Sequence, residues 1–201
     1  MQRLFLSLFL ILGLGQPALA AKELAPEAAA KALIEGMATE AIEVLADKNR
    51  TPALIQTKFN ALLSKGFDLN YIGRFVLARY WRNTTPAQQA DYLKLFQDYI
   101  VGIYANRFAA YSGETLVVGD AKIDGDDVIV ASRINRTNGA PPVAVDWRVQ
   151  KSEDGQYRVI DVIIEQVSMG ITQRSEFSSI IQNGGGRVEA LLAQLRAKTG
   201  N

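Results

Sequence analysis

The sequence of 201 residues contains no cysteine and no histidine. Without thiols there is no disulfide framework, no thiolate nucleophile and no c-type haem attachment. Without imidazole, a common zinc ligand and the usual general base at neutral pH are missing. An enzyme built on this chain would have to use a perturbed Asp, Glu, Lys or Tyr, which is a less common arrangement. We therefore expect no metal, no cofactor and no enzyme activity.

The N-terminus has the pattern of an export signal. Arg3 supplies the positive charge, Leu4 to Leu14 form an apolar run, and Ala18-Leu19-Ala20 is a small-x-small cleavage site. The run is too short for a relaxed membrane span, and no cysteine follows Ala20 to accept a lipid. We expect cleavage after Ala20, so that residues 1–20 are a signal peptide and residues 21–201 form one exported domain.

A charge excess of either sign is also missing from the mature chain. Arg3 is the only charged residue before the cleavage site, so its removal leaves 21 basic and 21 acidic side chains. A neutral chain argues against nucleic acid as a partner. It also argues against strong electrostatic adsorption to anionic lipid.

The first half of the chain reads as helices. An Ala-rich amphipathic segment from Pro26 to Leu45 is followed by a helix that Thr51-Pro52 begins and Gly66 ends. Asp68 caps a third helix, predicted over residues 67–81. Thr85 and Gln88 form a capping box with Pro86 in the first turn, and the helix they open runs to about Ala110. Its apolar arc is wide enough to contact two neighbours, such as a sheet and a cavity or second helix.

The second half reads as a meander of about four antiparallel strands. A short strand over 114–118 and a stretch over 121–123 are followed by two segments of alternating apolar residues, 128–136 and 143–150, with turn residues between them. A Val- and Ile-rich run from Tyr157 to Val167 completes the sheet, and the chain turns at Ser168 into a helix. Another helix follows Gly184-Gly185-Gly186. Helices first and hairpins later indicate an α+β fold.

Motifs that carry chemistry are weak in this sequence. The triple glycine follows a helix and lacks the Lys-Ser/Thr ending of a phosphate loop, which makes it a linker. Asp124, Asp126 and Asp127 lack the remaining ligands of a calcium loop. Asp161 sits in an apolar strand, where a structural role is commoner than a catalytic one.

What remains is a set of apolar residues on the long helices and the strands. From spacing alone a filled core is the more common explanation for such a set. A ligand cavity would show the same periodicity, so both alternatives stay open. On the helical side the candidates for lining a cavity are Phe75, Trp81, Phe96, Tyr99, Ile103, Tyr104 and Phe108. On the sheet side they are Val145, Trp147, Val149, Val159, Ile163, Val167, Met169 and Ile171.

Two segments resemble the MlaC family of periplasmic phospholipid-binding proteins, also described as toluene-tolerance auxiliary components of an ABC transport system. They are YWRNTTPAQ, residues 80–88, and IIEQVSMGITQRSEF, residues 163–177. The similarity extends from about Glu27 to Arg196. It implies helices packed on an antiparallel sheet around a deep apolar pocket that holds the acyl tails of a glycerophospholipid. It also implies pocket roles for Trp81, Tyr104, Val167 and Ile171.

The resemblance further implies a periplasmic shuttle that helps to maintain outer-membrane lipid asymmetry. Its partners would be an outer-membrane complex of MlaA with a porin, and MlaD, the ring protein of an inner-membrane ABC transporter. Some relatives carry arginine near the double proline and after the TTPAQ motif, where this chain has Ala140, Ala144 and Gln89. The sequence therefore predicts fewer cations at the pocket mouth.

Three other functions stay open at this point. The chain could carry another lipid, as a hopanoid-associated relative. It could be a lipid-free adaptor with a filled core. It could also be an enzyme with Asp161 or Glu165 as base.

Overall fold

A computed structural model describes residues 24–109 and 111–200, with side chains from 106 to 109 outside the description. The predicted signal peptide and its cleavage site fall outside the described residues. Within them lie helices α1 (Pro26–Ala46), α2 (Pro52–Gly66), α3 (Leu69–Leu77) and α4 (Pro86–Ala109). Strands β1 (Thr115–Asp124), β2 (Asp127–Asn135), β3 (Val143–Lys151), β4 (Tyr157–Ile164) and β5 (Val167–Ser168) follow, then α5 (Met169–Asn183) and α6 (Val188–Thr199). The expected α+β class is confirmed.

The predicted helix caps are present. The Thr51 hydroxyl accepts a hydrogen bond from the Leu54 amide at 3.2 Å, and the Asp68 carboxylate accepts one from the Tyr71 amide at 2.8 Å. At the start of α4 the Thr85 amide donates to the Gln88 side chain at 2.8 Å, while the Gln88 amide donates to the Thr85 hydroxyl at 3.2 Å. This reciprocal pair is the predicted capping box.

The third helix is shorter than predicted. It ends at Leu77, because Ala78 adopts φ 53° and ψ −129°, and a 3-10 helix continues from Ala78 to Asn83. This backbone conformation costs energy for any residue with a Cβ atom. No glycine or proline lies at the break. The apolar periodicity continues past it to Tyr80, so the sequence predicted a longer helix.

The sheet has five strands in sequential antiparallel order, one more than predicted. The predicted long strand from Tyr157 to Val167 is interrupted at Glu165 and Gln166, which have φ values of 48° and 67°. Both residues of this two-residue turn are left-handed, the geometry that normally selects Asn-Gly. The chain folds back there, and Val167 pairs with Ile164.

The described helices contribute to two hydrophobic cores. Helices α3, α4, α5 and α6 enclose a helical core around Phe96 and Phe177, whose ring centroids are 6.3 Å apart. Helices α1 and α2 cover one face of the sheet, called here the inner face, and form a sheet core with Val128, Val149 and Val159. Helix α4 packs against α2, α3 and α6. Its wide apolar arc is therefore explained by several neighbouring helices.

Candidate functional site

One row of side chains crosses the inner face through all five strands. Val118 pairs with Ser132, Ser132 with Val145, Val145 with Ile164, and Ile164 with Val167. Directly opposite residues in antiparallel strands point to the same face. With strands about 4.8 Å apart, the row spans about 19 Å. We call it the cross-sheet row.

The cross-sheet row divides a covered end of the inner face from an open one. On one side Val128, Val149 and Val159 are buried under α1 and α2. On the other side Leu116 and Ile134 pair with each other and are only half-buried. Val167, the last member of the row, is 53% exposed. Residues 24–109 and 111–200 therefore cover the apolar side chains at this end only in part, which is unusual for the inner face of a sheet.

The one polar member of the row is satisfied internally. Ser132 is buried, donates a hydrogen bond to the Val145 carbonyl at 2.7 Å and accepts one from the Trp147 indole nitrogen at 2.9 Å. Its hydroxyl is thus occupied on both sides, and the Trp147 ring is held in place against Phe67, 6.5 Å between centroids. The hydroxyl of Ser132 therefore has no hydrogen bond to offer a ligand, and the other four side chains of the row are hydrocarbon.

An open groove of about 420 Å³ lies between α1 and the β1 end of this surface. Its floor contains Ala38 and Ile42 from α1 and Leu116 and Val118 from β1. Thr39, Glu35 and Glu43 complete the lining. A volume of this size falls within the range of ligand pockets, and the four side chains of the floor offer hydrophobic contact.

Glu114 stands at the start of β1, two residues before the groove floor. Its carboxylate accepts hydrogen bonds from the Ser112 amide at 2.8 Å and the Ser112 hydroxyl at 2.9 Å. These bonds, the amide first, lower the pKa of Glu114. The Glu114 carboxylate is therefore held by hydrogen bonds to the loop before β1.

The structure brings some predicted cavity residues to the inner face. Val145, Val149 and Val159 are buried there, and Trp147 is half-buried beside them. Tyr104 reaches α2, where its ring lies 6.2 Å from Phe59. Phe59 packs on the sheet core, so Tyr104 connects α4 to that core.

Other predicted residues lie elsewhere. Phe96 and Tyr99 are buried in the helical core, with Trp81 and Ile103 packed partly buried against it. A bulge in the pairing of β3 with β4 sets Val159 opposite Val149 but Ile163 opposite Asp146. Because the bulge adds one residue, Ile163 faces the outer side, away from Val159. The predicted grouping of these two on one face is therefore corrected.

The remaining predicted residues are exposed, half-buried or outside the description. Phe75 is 37% and Ile171 59% exposed, and the Arg174 guanidinium lies 5.4 Å from the Phe75 ring centre. Met169 is half-buried at the first position of α5. The side chain of Phe108 is outside the described part of the structure.

Sequence reasoning missed the groove floor on α1 and β1. Leu116 and Val118 show the alternation of any half-buried strand, so the sequence alone did not identify them as lining a groove. Ala38 and Ile42 lie four residues apart on α1 and signal only an apolar helix face. Ile164 was not singled out, since the turn after it is not visible in the sequence.

The two carboxylates considered as catalytic bases have structural partners. Asp161 accepts hydrogen bonds from the amides of Val162 and Gly170 and from the Ser168 hydroxyl, at 2.9, 3.0 and 2.5 Å. It thereby holds the N-terminus of α5 against β4. Glu165 accepts a bond from the Ala144 amide at 2.6 Å and joins the turn after β4 to β3.

Neither metal ligation nor membrane spanning is indicated within the described ranges. Among residues 24–109 and 111–200, no three carboxylates come close enough to hold a metal ion. In the same part of the chain, no helix combines the length and hydrophobicity needed to cross a bilayer.

Comparison with known proteins places this geometry in a family. The family model described as MlaC protein matches residues 35–197. The chain is 29% identical over 105 residues to the intermembrane phospholipid transport system binding protein MlaC of Haemophilus influenzae, covering 51% of this chain and 49% of that protein. It is 24% identical over 159 residues to the toluene tolerance protein ttg2D of Pseudomonas putida, covering 76% and 73%.

A solved structure has the same fold. The phospholipid-binding protein of Ralstonia solanacearum, determined in complex with a phospholipid, superposes with a TM-score of 0.75 at 24% identity, over 85% of this chain and 97% of that one. The match to the Haemophilus protein spans about half of that protein's length. The family model nevertheless covers most of the sequence, and the resemblance noted in residues 80–88 and 163–177 falls inside it. The chain belongs to the MlaC family.

Proposed function

We propose that this protein is a periplasmic carrier that binds a glycerophospholipid by its acyl chains on the open end of the inner face. The observation that carries the proposal is the cross-sheet row, which runs through five strands and is apolar except for the internally bonded Ser132. Its end residues Val118 and Val167 are only partly covered by the described part of the protein. The names of the Haemophilus protein and of the Ralstonia structure support a phospholipid as the ligand.

The energetics fit a carrier. Two acyl chains hold on the order of 30 methylenes, each worth roughly 0.8 kcal/mol when it leaves water. A lipid therefore leaves a membrane only for a comparably apolar surface. The groove of about 420 Å³ is towards the small end of ligand pockets. We expect α1 to move away from β1 when both chains enter.

The transport route extends the same proposal. Lipid would be exchanged with the MlaA–porin complex at the outer membrane and with MlaD of the inner-membrane ABC transporter, which follows from the family resemblance. Transfer needs no catalytic step on this chain, since the lipid changes place without a change in bonding.

A direct test is native mass spectrometry of the mature protein purified without detergent. The carrier proposal predicts a fraction of protein with bound phospholipid mass, and uptake of lipid by delipidated protein from vesicles. Val167→Glu, at the exposed end of the row, should reduce loading while the far-UV circular dichroism stays unchanged. Protein that is always lipid-free, even after incubation with vesicles, would contradict the proposal.

The second candidate is a lipid-free adaptor. The complete burial of Val149 and Val159, both 0% exposed, favours it, because this end of the inner face is filled by protein. The same mass spectra separate the two functions, since an adaptor takes up no lipid from vesicles.

A further inference from the structure

Helix α1, which forms one wall of the groove, is acidic, although the mature chain is neutral. Helix α1 contains four glutamates and one lysine: Glu27, Glu35, Glu40, Glu43 and Lys31. Strand β1 adds no net charge, because Asp124 is paired with Arg148 at 3.2 Å and Asp120 is balanced by Lys122. Among the residues that the structure describes, no lysine or arginine lines the groove, whereas Glu35 and Glu43 do. Negative charge is therefore concentrated where a ligand would enter.

The two groove glutamates are two helical turns apart, with Ile42 and Ala38 between them on the same side of α1. Glu35 lies 4.0 Å from Lys31, and both side chains are largely exposed, so this pair neutralises little charge. Glu43 has no hydrogen bond or ion pair within residues 24–109 and 111–200. Both carboxylates are thus available to a ligand.

Glu40 provides an internal comparison. It lines the small cleft between α1 and α2 and not the groove, and it forms an ion pair with Lys65 at 3.4 Å. Glu40 therefore carries the same charge on the same helix without facing the groove.

We propose that the groove selects phospholipids whose head group carries an ammonium, such as phosphatidylethanolamine, over lipids with a net negative head group, such as phosphatidylglycerol. This inference rests on the proposed function. Acyl chains on the apolar floor place the head group at the groove rim, where an ammonium is attracted to Glu35 and Glu43 and an uncompensated phosphate is repelled. Two solvent-exposed pairs of this kind correspond to about a fivefold preference at low ionic strength.

The experiment loads delipidated mature protein from vesicles with equal amounts of phosphatidylethanolamine and phosphatidylglycerol of the same chain composition. Bound lipid is extracted, and the ratio of the two classes is measured by mass spectrometry. We expect about a fivefold excess of the ethanolamine lipid, which 0.5 M NaCl reduces because salt screens exposed charges. The ratio is read within the loaded fraction, so it does not depend on how much lipid a variant holds.

The variants separate the groove charges from total charge. Glu35→Gln with Glu43→Gln should bring the ratio close to one, and Glu35→Lys with Glu43→Lys should invert it. Glu40→Gln, the matched control, should keep the wild-type ratio. Equal loading of both lipids by the wild type, or a double Gln variant that keeps the preference, overturns this inference and leaves the carrier function standing. Absence of both lipids from the wild type overturns the carrier function and this inference with it.

Discussion

Adjacent valines on β1 provide the sharpest test of the proposed site. Val118 lies on the inner face in the groove floor, and Val117 points to the opposite face, where it is 54% exposed. Val117→Glu and Val118→Glu therefore make the same chemical change one residue apart on opposite faces of the sheet. Both lose similar strand propensity, about 1 kcal/mol at most. Val118 is half-buried against the sheet core, so Val118→Glu should also lose some packing that Val117→Glu keeps.

Their effects on lipid binding should differ strongly. In the lipid-free protein a carboxylate at residue 118 can extend into the water-filled groove. When acyl chains cover the floor, that carboxylate has to lose its water or take up a proton, which costs several kcal/mol. A penalty of about 3 kcal/mol weakens binding by roughly 150-fold. A carboxylate at residue 117 remains in water in both states and adds no such penalty.

The assay is lipid uptake from vesicles followed by native mass spectrometry, with thermal unfolding by circular dichroism as the folding control. We expect Val118→Glu to unfold at a somewhat lower temperature than Val117→Glu but to be fully folded at the assay temperature and to carry almost no lipid, while Val117→Glu carries the wild-type amount. Wild-type loading of Val118→Glu would show that the acyl chains lie elsewhere. Equal loss in both variants would show that the effect is not specific to the inner face.

Three further predictions concern stability. In Gly184→Ala the new Cβ would lie 2.2 Å from the Ala190 Cβ, so we expect the free energy of unfolding, measured in urea, to fall by about 1–3 kcal/mol. Adding Ala190→Gly should restore most of that loss. A double variant as unstable as the single one would contradict the clash. Ala78→Gly should relieve backbone strain of about 1–3 kcal/mol against a glycine cost of about 0.5–1 kcal/mol, raising the melting temperature; a lower one would refute it. The Arg158 guanidinium, 2.5 Å away, and the Gln156 amide hold the pKa of Asp154 at about 2, below its ordinary 3.8. Its stabilisation is complete above the ordinary value and lost as pH falls towards 2, so Asp154→Asn should be less stable than wild type at pH 6 and equal to it near pH 2, as thermal melts at both pH values would show.

Local signals in the sequence predicted the elements well. The capping box at Thr85 and Gln88 and the caps at Thr51 and Asp68 depend on side chains within three residues of the helix start, and all three formed. The alternation of residues 143–149 likewise placed Val145 and Val149 on one face. In each case the interaction is between near neighbours in the chain, which the sequence displays directly.

The predictions of element boundaries failed where the backbone adopts a conformation that no residue type in the sequence signals. Ala78, Glu165 and Gln166 adopt positive φ values without being glycine or asparagine, so the break after α3 and the turn after β4 were not predicted. The bulge near Val159 has the same effect, because one extra residue reverses the facing of Ile163. Each of these conformations is imposed by tertiary packing against the local preference of the residue.

The site itself is a product of register, which is why no single segment of the sequence contains it. Each strand shows an apolar alternation, but the alternation does not say which residue of one strand stands beside which residue of the next. The pairing of Val118 with Ser132, and of Ile164 with Val167, arranges these residues in one row. Where α1 lies relative to that row then decides whether a valine is buried under a helix, as Val149 is, or faces a groove, as Val118 does. The same residue type thus contributes to a filled core at one end of the inner face and to a binding surface at the other.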